Sequence, residues 1–335
     1  MVPTVKAATI SNVTFVRPAK FYFSGYFNIP HITYFLIFMS FVYIMTVVGN
    51  VFLMSVIYLV KTLHSPKYII VFNLALADLC GSCASIPKVL DKFLFDRSDI
   101  VYEDCLSYMF FFYFFTDVQS WTLVIMAYDR LIAICFPLRY HSIVTKPAIA
   151  AMLLLVWIVI MSITACIVGL LDRHSFCGSL VIQNFICGMG SIRNLACGDT
   201  SLISNIAELS FVLNVILPPV LIALTYICIA IALSRVASPK ERLKAAKTCT
   251  SHLILVAVCF IPLWYVNLIS DIDHDADIIL SILPNMPPLL NPILYSLKTE
   301  DVLNCIKRLC NNMLSNISMS KKVFTAMLTK WKVLK

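Results

Sequence analysis

The side chains of this chain best placed to do chemistry are ionisable groups set inside long apolar runs. Asp78 lies within Asn73-Leu-Ala-Leu-Ala-Asp78-Leu, Asp117 follows an aromatic stretch, and Asp129-Arg130 interrupts a further apolar run. A charge in such a setting is costly, so each is a functional candidate by default. Asp78 has Asn50 and Asn291 at similar depth if their helices pack together. The three read either as a hydrogen-bonded structural cluster or as a water-filled or sodium-holding pocket. Asp129-Arg130 reads either as a plain interfacial ion pair or as a pair that breaks and re-forms, which is a switch. Pro262 and Pro292 each remove a backbone hydrogen bond inside an apolar run, giving two kinks at which a helix can bend.

Asp117 is the group most suited to meeting a ligand. At 1.5 Å per helical residue it lies about 18 Å from Cys105 and about 20 Å from Arg130, near mid-membrane. Phe112, Tyr113 and Thr116 recur near it at helical spacing. Ser210 and Asn214, one turn apart, and Phe260, Leu263 and Asn267 can join them from later segments. An apolar pocket with a few polar anchors is the usual small-molecule site. Two readings stand for Asp117. It is satisfied by Tyr113 or protonated by burial, or it is ionised and pairs with a cationic or strongly donating ligand group.

These groups need long helices to hold them. Of the 335 residues, 60% are hydrophobic and 13% charged, against about 25% charged in soluble domains. Seven apolar stretches are long enough to span a bilayer as helices. They run over about 33–60, 67–90, 105–135, 148–170, 204–234, 248–270 and 277–298. The fold expected is an all-α membrane protein, a seven-transmembrane helix bundle over 33–298. Residues 1–32 precede it and a tail over 299–335 follows. In the tail Val302, Leu303, Ile306 and Leu309 share one helical face, which suits a short amphipathic helix on the cytoplasmic membrane surface.

Lys61, Lys67, Arg139, Lys146, Arg235, Lys240, Arg242, Lys244 and Lys247 fall in one set of loops, while Asp91, Asp99, Asp104, Asp172 and Asp199 fall in the other. The basic side is expected to be cytoplasmic, with the N-terminus outside. Residues 1–32 show no basic segment followed by an apolar run, so no cleavable signal is expected. Asn12-Val13-Thr14 is then an extracellular glycosylation sequon, while Asn316 is cytosolic and bare. The net charge of +8 suits anionic lipid and an acidic cytosolic partner. No nucleic-acid motif is present.

Seven of the thirteen cysteines lie inside spans as small apolar filler. Cys105, Cys177, Cys187 and Cys197 sit on the oxidising side, where disulfides are expected. Four cysteines allow three pairings, and sequence alone does not choose. No zinc motif, nucleophile elbow or phosphate-binding glycine loop points to an enzyme, and no cofactor is implied. A solute carrier would need a continuous polar path, which spans one, four and five offer poorly.

The motifs resemble those of one family. Met126-Ala-Tyr-Asp129-Arg130-Leu-Ile-Ala-Ile-Cys135-Phe-Pro137-Leu-Arg139-Tyr140 resembles the inner end of span three in odorant receptors of the rhodopsin-like class. Lys244-Ala-Ala-Lys-Thr248-Cys249-Thr-Ser251-His252-Leu253 is similar to that family's entry to span six, and Pro288-Leu-Leu-Asn291-Pro292-Ile-Leu-Tyr295 to its span-seven motif. Gly49-Asn50, Pro66-Lys-Tyr68 and Trp157 fit its other slots. The chain departs from the family at Leu131, where Tyr is usual, at Phe260-Ile-Pro262 and at Thr225-Tyr226, which marks a divergent branch. The resemblance implies disulfides Cys105–Cys187 and Cys177–Cys197, a small-molecule odorant as ligand, and a stimulatory, olfactory-type heterotrimeric G protein. That partner would meet a cytoplasmic face carrying Asp129, Arg130, Tyr226, Asn291, Pro292 and Tyr295. A receptor of the same class for a peptide, steroid or nucleotide is the other reading.

Overall fold

The computed structural model describes residues 17–23, 32–95, 98–177, 179–182, 187–235, 239–269 and 285–298. Seven helices carry the architecture: α1 Ile32–Leu59, α2 Pro66–Leu94, α3 Tyr102–Cys135, α4 Lys146–Asp172, α5 Ser201–Ser234, α6 Pro239–Ile269 and α7 Met286–Lys298. The first five are each long and apolar enough to cross a membrane, and α6 adds the apolar stretch His252–Trp264. The expected amphipathic helix of the tail, Asn12 and Asn316 lie outside the described residues.

The helices start where local chemistry allows. Pro66 opens α2 and Pro147 lies in the first turn of α4, positions where a missing N–H costs nothing. Thr145 caps α4 by accepting from the Ala148 N–H at 3.3 Å. One boundary differs notably from expectation. The segment read as a basic loop, 235–247, is helical from Pro239, so α6 begins nine residues early. Glu241, Arg242, Leu243, Lys244, Ala245 and Ala246 are all strong helix formers. Hydropathy, which located the spans, does not register a polar helix.

α3 is the axis of the bundle, touching α2, α4, α5 and α6, while α1 packs on α2 and α7. The α1–α7 contact is tight at Gly49, where a side-chain carbon would meet Pro292 Cγ at 2.9 Å. Asn73 bonds α2 to two neighbours: its amide donates to Thr122 Oγ1 of α3 at 3.0 Å and its oxygen accepts from Trp157 Nε1 of α4 at 2.8 Å.

One end carries a small sheet that the sequence did not announce. β1 (Lys20–Phe23) lies between β2 (Asp99–Val101), antiparallel, and β3 (Val181–Ile182), parallel. Side chains alternate across a strand, so Phe21 and Phe23 face in while Lys20 and Tyr22 face out. Phe21 is fully buried and meets Tyr102 and Phe176 at ring-centroid distances of 5.7 and 5.4 Å. Arg17 clamps the strand's approach with two hydrogen bonds to the Asp172 carboxylate, at 2.7 and 2.6 Å. Disulfides Cys105–Cys187 and Cys177–Cys197 tie the connection between α4 and α5 to α3 and to itself.

Candidate functional site

The polar groups named from sequence form three levels along α3. Nearest the sheet, Phe112 stacks on Tyr108 at 5.8 Å, and the Tyr113 hydroxyl accepts from the Met189 N–H at 3.3 Å. Both rings pack against the cluster holding Cys105, Met109 and Cys187. One turn further, Asp117 is buried at 8% exposure, and among the described residues no group donates a hydrogen bond to it. Tyr113, the neighbour expected as its partner, makes no hydrogen bond to it, and its hydroxyl accepts from the Met189 N–H. Thr116, half-buried beside it, uses its carbonyl to accept from Ser120 Oγ at 3.1 Å.

α5 reaches this level through an irregular turn. Residues Val212–Ile216 are π-helical, followed by Pro218 and Pro219. Pro219 has no N–H for the carbonyl of Val215 four residues back. Trp264 of α6 donates its indole N–H to that carbonyl at 3.3 Å. Asn214, in the same turn, accepts from Trp121 Nε1 at 2.9 Å and donates to Ser210 Oγ at 3.1 Å. Ser210 and Asn214 are thus brought together, with the Asn214 oxygen turned to α3. Phe260 and Leu263 fall elsewhere: they pack with Leu123, Met126 and Tyr226 on the far side of Asp117 from the sheet. The side chain of Asn267 lies outside the described residues. Of the nine expected ligand contacts, Phe112 and Tyr113 thus fall in one packing cluster and Phe260 and Leu263 in another.

Below them is a buried polar core. Asn291 Nδ2 donates to Asp78 Oδ2 at 2.7 Å. Asn50 does not join Asp78 as its depth suggested. Its amide donates to the carbonyls of Thr46, at 2.9 Å, and Pro288, at 3.0 Å. The cause is Pro292, whose missing N–H orphans the Pro288 carbonyl one turn back. Asn50 supplies the donor that the helix lost. Four oxygens at this level, Asp78 Oδ1, Asn50 Oδ1, Thr46 Oγ1 and Ser82 Oγ, are buried without a partner among the described residues.

At the third level Arg130 Nε lies 3.9 Å from Asp129 Oδ2, too long for a hydrogen bond. The stronger partner of Asp129 is Tyr140, whose hydroxyl donates to Oδ1 at 2.8 Å. Burial first, then the Asp129 charge, raises the Tyr140 phenol above its ordinary value, so it remains a donor at physiological pH. Tyr226 bonds His252 Nδ1 at 2.9 Å, tying α5 to α6. The Tyr295 hydroxyl donates to Met126 Sδ at 3.1 Å, tying α7 to α3.

Sequence reasoning missed Tyr140, His252, Trp121 and Trp264 as site residues. The first two stood inside recognised motifs. The signal for Trp264 was Pro219, just as Pro292 signalled the role of Asn50: a proline inside a span orphans a carbonyl, and some donor must face it.

Seven membrane helices around a central α3, with an Asp-Arg pair at one end and buried polar groups along the axis, define a membrane receptor of the rhodopsin-like class. The family model for olfactory receptors matches residues 39–313. Mouse olfactory receptor 8G17 is 34% identical over 295 residues, covering 87% of this chain and 96% of its own. Rat olfactory receptor 1 is 33% identical over 80% of this chain and 86% of its own, and human olfactory receptor 5K4 is 32% identical over 88% and 92%. The chain belongs to the olfactory receptor family. It is an odorant-activated G-protein-coupled receptor, a multi-pass membrane protein and not an enzyme.

Proposed function

We propose that odorant enters the bundle at the Asp117 level and that its polar group is held by the Asp117 carboxylate. The observation that supports this is a buried carboxylate with no donor of its own among the described residues. A hydrogen bond from a ligand ammonium or hydroxyl to a charged group is worth about 1.5–3 kcal/mol. In this reading Phe112, Tyr113 and Thr116 form the wall on α3 and Ser210 and Asn214 the wall on α5, with Phe260 and Leu263 of α6 packed on the far side of Asp117 from the sheet. A ligand that fits one bundle arrangement better than the other shifts the population by that difference in affinity.

The shift is read at the Arg130 end, which faces the cytoplasm. Arg130 exchanges Asp129 for a partner helix of a stimulatory, olfactory-type G protein, while Tyr226, Asn291, Pro292 and Tyr295 move with α5 and α7. The basic first turns of α6 suit an acidic partner surface and anionic lipid. At the polar core the unpartnered donors are all oxygens, a set that suits a hard cation such as sodium beside Asp78. Sodium bound there would hold the resting arrangement, and Asp78→Asn should abolish any dependence of agonist potency on sodium.

The deciding experiment compares Asp117→Asn with the parent receptor in a cyclic-AMP reporter cell, using amine, alcohol and hydrocarbon odorants of matched size. Selective loss of potency for amines and alcohols is the expected result. Equal loss for all three classes at matched surface level would remove Asp117 from ligand contact. For the topology, Asn12→Gln should abolish a glycosidase-sensitive gel shift and Asn316→Gln should leave it, because residues 1–32 are extracellular and the tail is cytoplasmic.

A further inference from the structure

A cavity of about 490 Å³ opens between β1, β2 and the sheet-side ends of α2 and α3. It is not the Asp117 site. Its deepest marker on α3, Tyr108, lies nine residues from Asp117, about 14 Å along the helix. Its volume falls within the range of small-molecule pockets, roughly 300–1,000 Å³. Phe23, Val89, Ile100 and Tyr108 give it an apolar lining.

The charges around it are balanced and cross-linked. Three lysines, Lys20, Lys88 and Lys92, and three aspartates, Asp91, Asp99 and Asp104, line the same space. Lys88 of α2 meets Asp104 of α3 at 2.7 Å, and Lys20 of β1 meets Asp99 of β2 at 2.6 Å. Lys92 Nζ lies over the Phe23 ring, 3.2 Å from its centroid. Each of the two ion pairs joins a different pair of elements across the cavity.

We propose that this cavity is a second ligand site and that it takes a small zwitterion with an apolar body, such as an apolar α-amino acid. The reason lies in what each ligand class does to the pairs. A monoanion that captures Lys88 strips Asp104 of its counter-charge beside an apolar wall. A monocation that captures Asp104 does the same to Lys88. Either makes one charged contact and leaves the other member of the pair to solvent. A zwitterion inserted into the pair gives Lys88 a carboxylate and Asp104 an ammonium, and no charge is orphaned. Opening the pair costs little, because both side chains are exposed, at 36% and 58%, so the advantage of the zwitterion is a second charged contact where a singly charged ligand makes one. The apolar body then lies against Val89, Ile100 and Tyr108. On the topology proposed above, the cavity faces the extracellular fluid. Tyr108 stacks on Phe112, so an occupant there sits directly over the wall of the Asp117 level.

The test uses the purified full-length receptor in lipid nanodiscs, with L-leucine, 3-methylbutanoate and 3-methylbutylamine as probes. These share a branched apolar body and differ in charge. Leucine should bind at least about tenfold more tightly than either singly charged analogue. Lys88→Gln and Asp104→Asn should each weaken leucine by about tenfold. A diazirine-bearing leucine should crosslink to the peptide spanning residues 87–108 of the unmutated receptor, in competition with leucine, which keeps the proposal testable if either variant fails to fold. Equal binding of 3-methylbutanoate, unchanged affinity in both variants, absence of leucine binding, or crosslinking only outside residues 87–108 would each overturn it.

Discussion

The two ends of α3 are built on opposite principles. Its sheet end is cross-braced beside the cavity. Cys105 is in a disulfide, Tyr102 is 1% exposed and bonded to Asp172 at 3.0 Å, and Phe21, Phe176 and Met109 fill the space around them. At the Arg130 end the polar links are single hydrogen bonds set in an apolar cluster that includes Ala127, Ile132, Val144 and Leu255. Tyr140 holds Asp129, Tyr226 holds His252, and Tyr295 holds Met126 through a weakly accepting sulfur. Between them lie four buried oxygens around Asp78 that have no partner among the described residues. A receptor needs this asymmetry. On the function proposed above, the sheet end keeps one shape to discriminate ligands, whereas the Arg130 end takes two arrangements of similar energy.

The largest way to break the contrast is at the staple. Cys105→Ser or Cys187→Ser should cost about 2–5 kcal/mol, the usual loss for a native disulfide in a small secreted domain. Surface expression, read by antibody on intact cells, should fall to background. Cys177→Ser and Cys197→Ser, which open a shorter loop within one connection, should each lose less.

A smaller effect is expected where α1 meets α7. Gly49→Val puts carbon where Pro292 Cγ lies 2.9 Å away and should cost about 1–3 kcal/mol through overpacking. Asn50→Ala orphans the Pro288 carbonyl and should cost a similar 1–3 kcal/mol. Both should lower the midpoint of thermal unfolding in detergent. If Asn50→Ala leaves it unchanged, the Pro292 explanation for Asn50 is wrong.

The smallest effects belong to the Arg130 end, and they should appear in signalling rather than stability. Tyr140→Phe removes one part-buried hydrogen bond to a carboxylate. Basal cyclic AMP should rise by more in Tyr140→Phe than the 3.9 Å contact alone would suggest for the Arg130 pair. Asp129→Asn should also raise basal signalling, and Arg130→Ala should lose coupling while keeping odorant binding. Normal agonist response from Arg130→Ala at matched surface level would take Arg130 out of the switch.

Much of this was legible in the residues. Apolar runs near twenty residues leave a chain few choices in lipid, because every backbone N–H and C=O must be satisfied within the segment. That constraint is local, so the first five helices lie within four residues of where hydropathy put them. The start of α6 was not legible in the same way. Its first turns are polar, and only helix propensity, a weak local preference, argued for them.

The candidate site was legible as a set of residues and not as a set of contacts. Sequence picked out Asp78, Asp117, Asp129 and Asn50 because buried polar groups are costly, and that cost depends on residue type and surroundings alone. Which partner each one takes depends on where other helices place their donors. Asn50 turned to Pro288 rather than Asp78, and Asp129 took Tyr140 more closely than Arg130. β1 became the central strand of a three-stranded sheet although nothing within Lys20–Phe23 names β2 or β3. Four residues of alternating burial can pair with any exposed edge, and only the closed bundle brings those two edges to them.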